Sequence, residues 1–87
     1  MRLMFSPEAW AEYLEWQASD RKALKKINDL IASVQRTPTE GPGKPEPLKH
    51  SLAGMWSRRI DGKNRLVYCV QDDVCMIVQC RGHYADR

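Results

Sequence analysis

At 87 residues, 43% hydrophobic and 29% charged, the sequence is long enough for one small domain, too short for a second core and too apolar for a disordered tail. No apolar run approaches the ~20 residues of a membrane-spanning helix. The opening Met1-Arg2-Leu3-Met4-Phe5-Ser6-Pro7 lacks the long apolar stretch of a secretory signal, so a cytoplasmic protein is expected. The net charge of +3 is uneven: one cation against four acids in residues 1–20, nine against three in 21–59, and four of each in 60–87, so an anionic partner would be drawn to the middle of the chain.

Residues 2–5 read as a first strand. Ser6-Pro7 starts a helix, because serine can cap and proline suits the first helical position. Trp10, Tyr13, Leu14 and Gln17 follow at helical spacing, with Glu8, Glu12 and Glu15 on other faces. Ser19 or Asp20 can cap a second helix, whose apolar stripe is Leu24, Ile27, Leu30, Ile31 and Val34. Thr37-Pro38 stops it. Residues 38–47 hold four of the five prolines plus Gly41 and Gly43, which makes a stiff connector. Strand-like runs at 55–60 and 65–70 flank Asp61-Gly62-Lys63-Asn64, a strong hairpin signal. After the Asp72-Asp73 turn, residues 74–81 form a nearly apolar third run, expected to be a central strand. The order β-α-α-β-β-β implies an α+β fold: an antiparallel sheet covered on one face by a helix pair, with the other face open.

The three cysteines, Cys69, Cys75 and Cys80, are odd in number and match no zinc spacing. They fall in apolar strand-like stretches, as small buried hydrophobes of a reducing compartment do.

Ionisable groups gather in the second half. Glu46, Lys49 and His50 leave the proline-rich connector; Arg58 and Arg59 lie on the first hairpin strand; Arg65 opens the second; Arg81 and His83 end the last. Strand alternation points Arg59 away from Trp56, Arg58 and Ile60. The residue facing Arg65 depends on a register that the sequence leaves open. This is the inventory for cutting RNA with side chains alone: a base for a ribose 2′-OH, cations around the phosphorane-like transition state, and an acid for the departing 5′-oxygen. Each positioned acid or base contributes roughly 10²–10⁴-fold. His50, Arg58 and Arg81 are candidate supporting groups. Plainer readings stand beside these: His50 as a surface histidine, Arg58-Arg59 as solvated strand charges, Tyr84 as a loose terminal aromatic, and Trp10, Tyr13 and Trp16 as helix packing. No glycine loop suggests a nucleotide site and no His/Cys/acid cluster suggests a metal, so no cofactor is expected.

Four segments carry a more specific signal: Arg36-Thr37-Pro38-Thr39-Glu40-Gly41-Pro42-Gly43-Lys44-Pro45-Glu46-Pro47-Leu48-Lys49-His50, Gly54-Met55-Trp56-Ser57-Arg58-Arg59-Ile60, Arg65-Leu66-Val67-Tyr68, and Cys80-Arg81-Gly82-His83-Tyr84. In order and spacing, residues 6–84 resemble the YoeB toxins, of the Txe/YoeB branch of the RelE/ParE superfamily. The resemblance implies a microbial-ribonuclease-like α+β fold and an mRNA interferase of a type II toxin–antitoxin pair that cuts mRNA in the ribosomal A site. It implies Glu46 as general base, His83 as general acid and Arg65 as transition-state stabiliser. It places Lys49 and Arg59 at the phosphate and Tyr84 against the RNA. The implied partners are a YefM-like antitoxin, the 70S ribosome with mRNA and a second copy of the chain, with no membrane. Chains of this kind typically end at the His-Tyr pair, whereas this one continues with Ala85-Asp86-Arg87. Such an extension could alter docking of the last strand. The competing functions are a ParE-like gyrase inhibitor, which would lack the Glu46/Arg65/His83 set, and a basic module that binds RNA or DNA by charge alone.

Overall fold

The computed structural model describes residues 1–84; the extension at 85–87 lies outside them. In chain order the elements are β1 (Arg2–Phe5), α1 (Pro7–Ser19), α2 (Arg21–Arg36), β2 (Glu46–Pro47), a 3-10 turn (His50–Leu52), β3 (Trp56–Arg59), β4 (Arg65–Gln71) and β5 (Val74–Gln79). Both helix starts form as the sequence leads one to expect. Ser6 Oγ accepts from the Ala9 amide at 3.1 Å, and an Asp20 carboxylate oxygen from the Ala23 amide at 3.0 Å.

The five strands lie in the order β1-β5-β4-β3-β2. The meander β3-β4-β5 is antiparallel as expected, but β1 runs parallel to β5, pairing Arg2 with Val74 and Phe5 with Ile77. The sheet is therefore mixed. The helix pair carries the chain away from β1, and the meander brings β5 back beside it in the same direction. The two-residue strand β2 was not expected, since Pro47 cannot donate to a ladder; at a sheet edge that costs nothing.

α2 buries Ala23, Ile27, Leu30, Ile31 and Val34 against Leu66, Tyr68, Cys75 and Ile77 of the sheet. Each fully buried large aliphatic side chain contributes roughly 1.5–3 kcal/mol. α1 buries a different face from the expected stripe. Ala9 and Trp16 face the core, while Trp10 and Leu14 are 48% and 46% exposed. The small Ala9 lets the helix approach closely, and the Trp16 indole N–H donates to the Cys80 carbonyl at 2.8 Å. Trp10 instead lies at the rim, in edge contact with Phe5 and stacked on Tyr13. Cys75 and Cys80 are buried and Cys69 half-buried, and burial pushes the Cys75 thiol up to about 11.

Candidate active site

The second face of the sheet carries the candidate site. Glu46 pairs with Ser57, and Ser57 with Val67, which in turn faces Gln79, so one row of side chains crosses four strands. The next row holds Arg59 directly opposite Arg65, the register that the sequence left open. Opposed residues in an antiparallel pair have Cα atoms roughly 4.5–5.5 Å apart, and like charges there cost stability. Arg59 on β3 and Arg65 on β4 are thus paired on the sheet face that carries Glu46 on β2. The ladder also slips by one residue at Val67/Tyr68, leaving Val78 without a facing residue on β4; both Val78 and Gln79 line the cavity described below.

This face is not open as expected. The segment after β2 folds back on itself, with the Leu48 amide donating to the Met55 carbonyl at 2.9 Å. It roofs part of the sheet and leaves a cavity of about 780 Å³. Glu46, Lys49, His50 and Tyr84 line it, together with an apolar wall that includes Leu52, Met55 and Val67. Glu46, Lys49 and His50 are exposed. Two left-handed residues, Lys44 and His50 (φ 51° and 58°), bracket the segment that presents them. Strain of this kind persists where the surroundings fix it.

The loop that leads into this segment is held by Arg58, which is 0% exposed and on the opposite face from Arg59. All five of its N–H groups are used: Nε donates to the Tyr68 hydroxyl (3.1 Å), Nη1 to Ser33 Oγ (2.8 Å) and the Pro42 carbonyl (3.2 Å), Nη2 to the carbonyls of Thr37 (2.6 Å) and Glu40 (2.8 Å). Tyr68 extends the grip by donating to the Pro38 carbonyl at 2.6 Å. The loop then passes under β3 at Gly43 (φ 86°), whose carbonyl accepts from the Arg59 amide at 2.6 Å. A Cβ there would stand 2.9 Å from Leu30 and 3.0 Å from Arg58, so only glycine fits. Arg58 is therefore neither a solvated strand charge nor a group at the cavity; it pins the loop that leads to Glu46.

The other end of the site is built by the C-terminal segment. The Cys80 amide donates to Glu12 Oε1 at 2.9 Å, and the Arg81 guanidinium pairs with Glu15 at 2.6 Å and lies 4.9 Å over the Trp16 ring. Arg81 is thus engaged by α1, away from the cavity residues it was expected to support. The Arg65 amide donates to the Gly82 carbonyl at 2.9 Å, and the half-buried His83 ring lies 4.2 Å from that of Tyr84. Arg65 Nη1 is committed to the turn carbonyls of Asp61 (2.7 Å) and Asn64 (3.1 Å). Sequence reasoning missed Glu12, Glu15 and Asn64; the spacing of the two acids on one helix was the signal for the first pair. Among the described residues no group of three or more His, Cys, Asp or Glu is placed to hold a metal ion.

Partial burial raises the affinity of the Asp61 carboxyl for its proton, but hydrogen bonds from the Asn64 side chain, the Asn64 amide and the Lys63 amide, and the charge of Arg65, outweigh it. They hold the group below its ordinary value of 3.8. A depressed value adds stability that is complete above the unfolded value and is lost as pH falls through the folded one. Asp61→Asn should therefore cost most near neutral pH, and its gap from wild type in thermal melts should narrow below pH 3.8. A gap that stays constant with pH would show that the carboxylate charge is irrelevant to the turn.

A helix pair on one face of a five-stranded mixed sheet is the architecture of the RelE-like toxins. A point mutant of YafQ from Escherichia coli shares that fold alone, with a TM-score of 0.80 at 17% identity over 98% of this chain and 97% of that one. The YoeB/ParE toxin from Agrobacterium tumefaciens superposes with a TM-score of 0.94 at 46% identity, covering 97% of this chain and 100% of its own. The YoeB chain of the YoeB–YefM complex from Staphylococcus aureus gives 0.89 at 45% identity, over 97% and 98%. Toxin YoeB of Escherichia coli strain K12 is 57% identical over 84 residues, 97% of this chain and 100% of that protein. Residues 5–84 match the model of the YoeB-like toxins of bacterial type II toxin–antitoxin systems. The chain belongs to that family: it is a toxin of a type II toxin–antitoxin pair.

Proposed function

We propose that this toxin is a ribosome-dependent mRNA endonuclease that works by acid–base catalysis with side chains alone. The observation that carries the reading is the placement of Glu46 and the Arg59–Arg65 pair on one sheet face, with the His83-Tyr84 segment tied to the start of β4. Glu46 takes the proton of a ribose 2′-OH. The 2′-oxygen attacks the adjacent phosphorus, the bond to the 5′-oxygen breaks, and His83 as imidazolium protonates that oxygen. Products are a 2′,3′-cyclic phosphate and a free 5′-hydroxyl. Arg65 and Arg59 meet the charge that builds on the phosphorane, Lys49 adds to it from the cavity wall, and Tyr84 packs against the RNA. His50 lines the same cavity and supports the phosphate site.

The partners follow from the same surface. A YefM-like antitoxin covering the cavity would withdraw Glu46 and Tyr84 together, in keeping with the YoeB–YefM assemblies seen for Staphylococcus aureus. A second copy of the chain is the other partner, in keeping with the YoeB dimer of that organism. No helix among the described residues is long and apolar enough to cross a membrane, and action on ribosomes places the toxin in the cytoplasm.

The test is cleavage of mRNA on programmed 70S ribosomes, mapped by primer extension, with wild type beside His83→Gln. A discrete A-site cut that needs ribosomes and falls by about 10²–10⁴-fold in the variant is the expected result. An intact message with wild-type protein would turn the reading to gyrase inhibition or plain binding.

A further inference from the structure

We propose that Asn64 is a positioning residue for the acid end of the site, a role that rests on the nuclease reading above. Asn64 is the last residue of the hairpin turn and precedes Arg65; Gly82 precedes His83. Asn64 Oδ1 accepts from the Gly82 amide at 2.8 Å, while the Arg65 amide donates to the Gly82 carbonyl at 2.9 Å. Two consecutive hairpin residues thus hold both backbone polar groups of the residue that launches His83.

The orientation of the Asn64 amide is fixed by its other end. Its Nδ2 donates to both Asp61 carboxylate oxygens, at 3.1 and 3.0 Å, so the carbonyl must point to Gly82. Asp61 Oδ1 is itself held by the amides of Lys63 (2.8 Å) and Asn64 (2.7 Å). The chain Asp61–Asn64–Gly82 therefore transmits the shape of the turn to the histidine. Gly82 needs such a tie. Its φ of 76° lies in the left-handed region, where glycine alone moves freely, and the Asn64 bond restrains it there. Upstream contacts fix residues 80 and 81 to α1, through Glu12, Trp16 and Glu15. The Asn64 tie fixes the next residue to the strand that carries Arg65. One clip thereby sets the acid and the transition-state cation relative to each other.

The experiment is single-turnover cleavage on programmed ribosomes over a range of ribosome concentrations, with thermal melts of every variant. Asn64→Ala should slow cleavage by about 10- to 100-fold, the penalty of misplacing a reacting group by roughly 1 Å, with half-saturation shifted less than about twofold. In a His83→Gln background the same substitution should cost less than about threefold, because the group it positions is already gone. Exchanging the partners, Asp61→Asn with Asn64→Asp, keeps a donor–acceptor pair and an acceptor for Gly82. It should recover most of the rate that Asn64→Ala loses, whereas Asn64→Asp alone opposes two carboxylates and should not. If Asn64→Ala melts too early to assay, the exchange variant decides: recovery supports the role and failure to recover overturns it. An Asn64→Ala rate equal to wild type, or an equal loss in both backgrounds, also overturns it while leaving the nuclease reading intact. A wild-type protein that cuts nothing overturns that reading and this role with it.

Discussion

Arg58→Met should destabilise the fold by about 3–5 kcal/mol, a large share of the total stability of so short a chain. The methionine keeps most of the buried stem but removes every donor that the loop uses. Ser33 Oγ, the Tyr68 hydroxyl and the carbonyls of Thr37, Glu40 and Pro42 would each lose a partner. A buried acceptor left unpaired costs roughly 1–3 kcal/mol, and water entering from the exposed side of the loop offsets part of the sum. At roughly 4–8 °C per kcal/mol, Tm should fall by about 12–40 °C. Arg58→Lys should recover little: it keeps the charge, but one nitrogen cannot reach acceptors spread over residues 33–42. Urea unfolding midpoints of the three proteins decide the matter. An Arg58→Met midpoint equal to that of wild type would mean that the prolines alone order the loop.

The contrast between Arg58 and Arg59 shows what a sequence discloses and what it withholds. Alternation separated the two onto opposite faces, and the structure keeps them there. The sequence did not disclose which face would bury a guanidinium, because the compensation comes from the Ser33 and Tyr68 hydroxyls and three loop carbonyls, 10 to 25 residues away, which no local pattern groups together. The elements β1, α1, α2 and the hairpin were legible because each begins or ends on a local signal: Ser6-Pro7, Asp20, Thr37-Pro38 and Asp61-Gly62. The parallel seam between β1 and β5 joins residues more than 70 apart, and no local pattern encodes it. The site follows the same division. Glu46, Lys49 and Tyr84 line one cavity, a grouping that only the family resemblance implied, since residue type alone left Tyr84 a loose terminal aromatic. The Arg59–Arg65 pairing, the roof over the sheet and the Asn64 clip exist only once the hairpin register and the C-terminal path are set.

Glu46→Ala should abolish cleavage while leaving ribosome binding unchanged or tighter, and these opposite signs separate a catalyst from a charge-driven binder. The side chain is exposed, and the ladder of β2 is made by backbone groups, so the fold should be perturbed by no more than about 0.5 kcal/mol. Loss of the base costs roughly 10²–10⁴-fold in rate. Removing a carboxylate from a surface that holds Lys49, Arg59 and Arg65 strengthens attraction for phosphate, and the salt dependence of binding keeps its slope because no cation is lost. For a protein that only binds RNA, the same substitution would leave its effect on translation intact or enhanced. Single-turnover cleavage and ribosome co-sedimentation, measured on one preparation, read the two quantities side by side. Cleavage at the wild-type rate would remove Glu46 from the mechanism. Lost binding would instead make it a structural contact of the ribosome interface, since neither loss of a base nor relief of like-charge repulsion can weaken association.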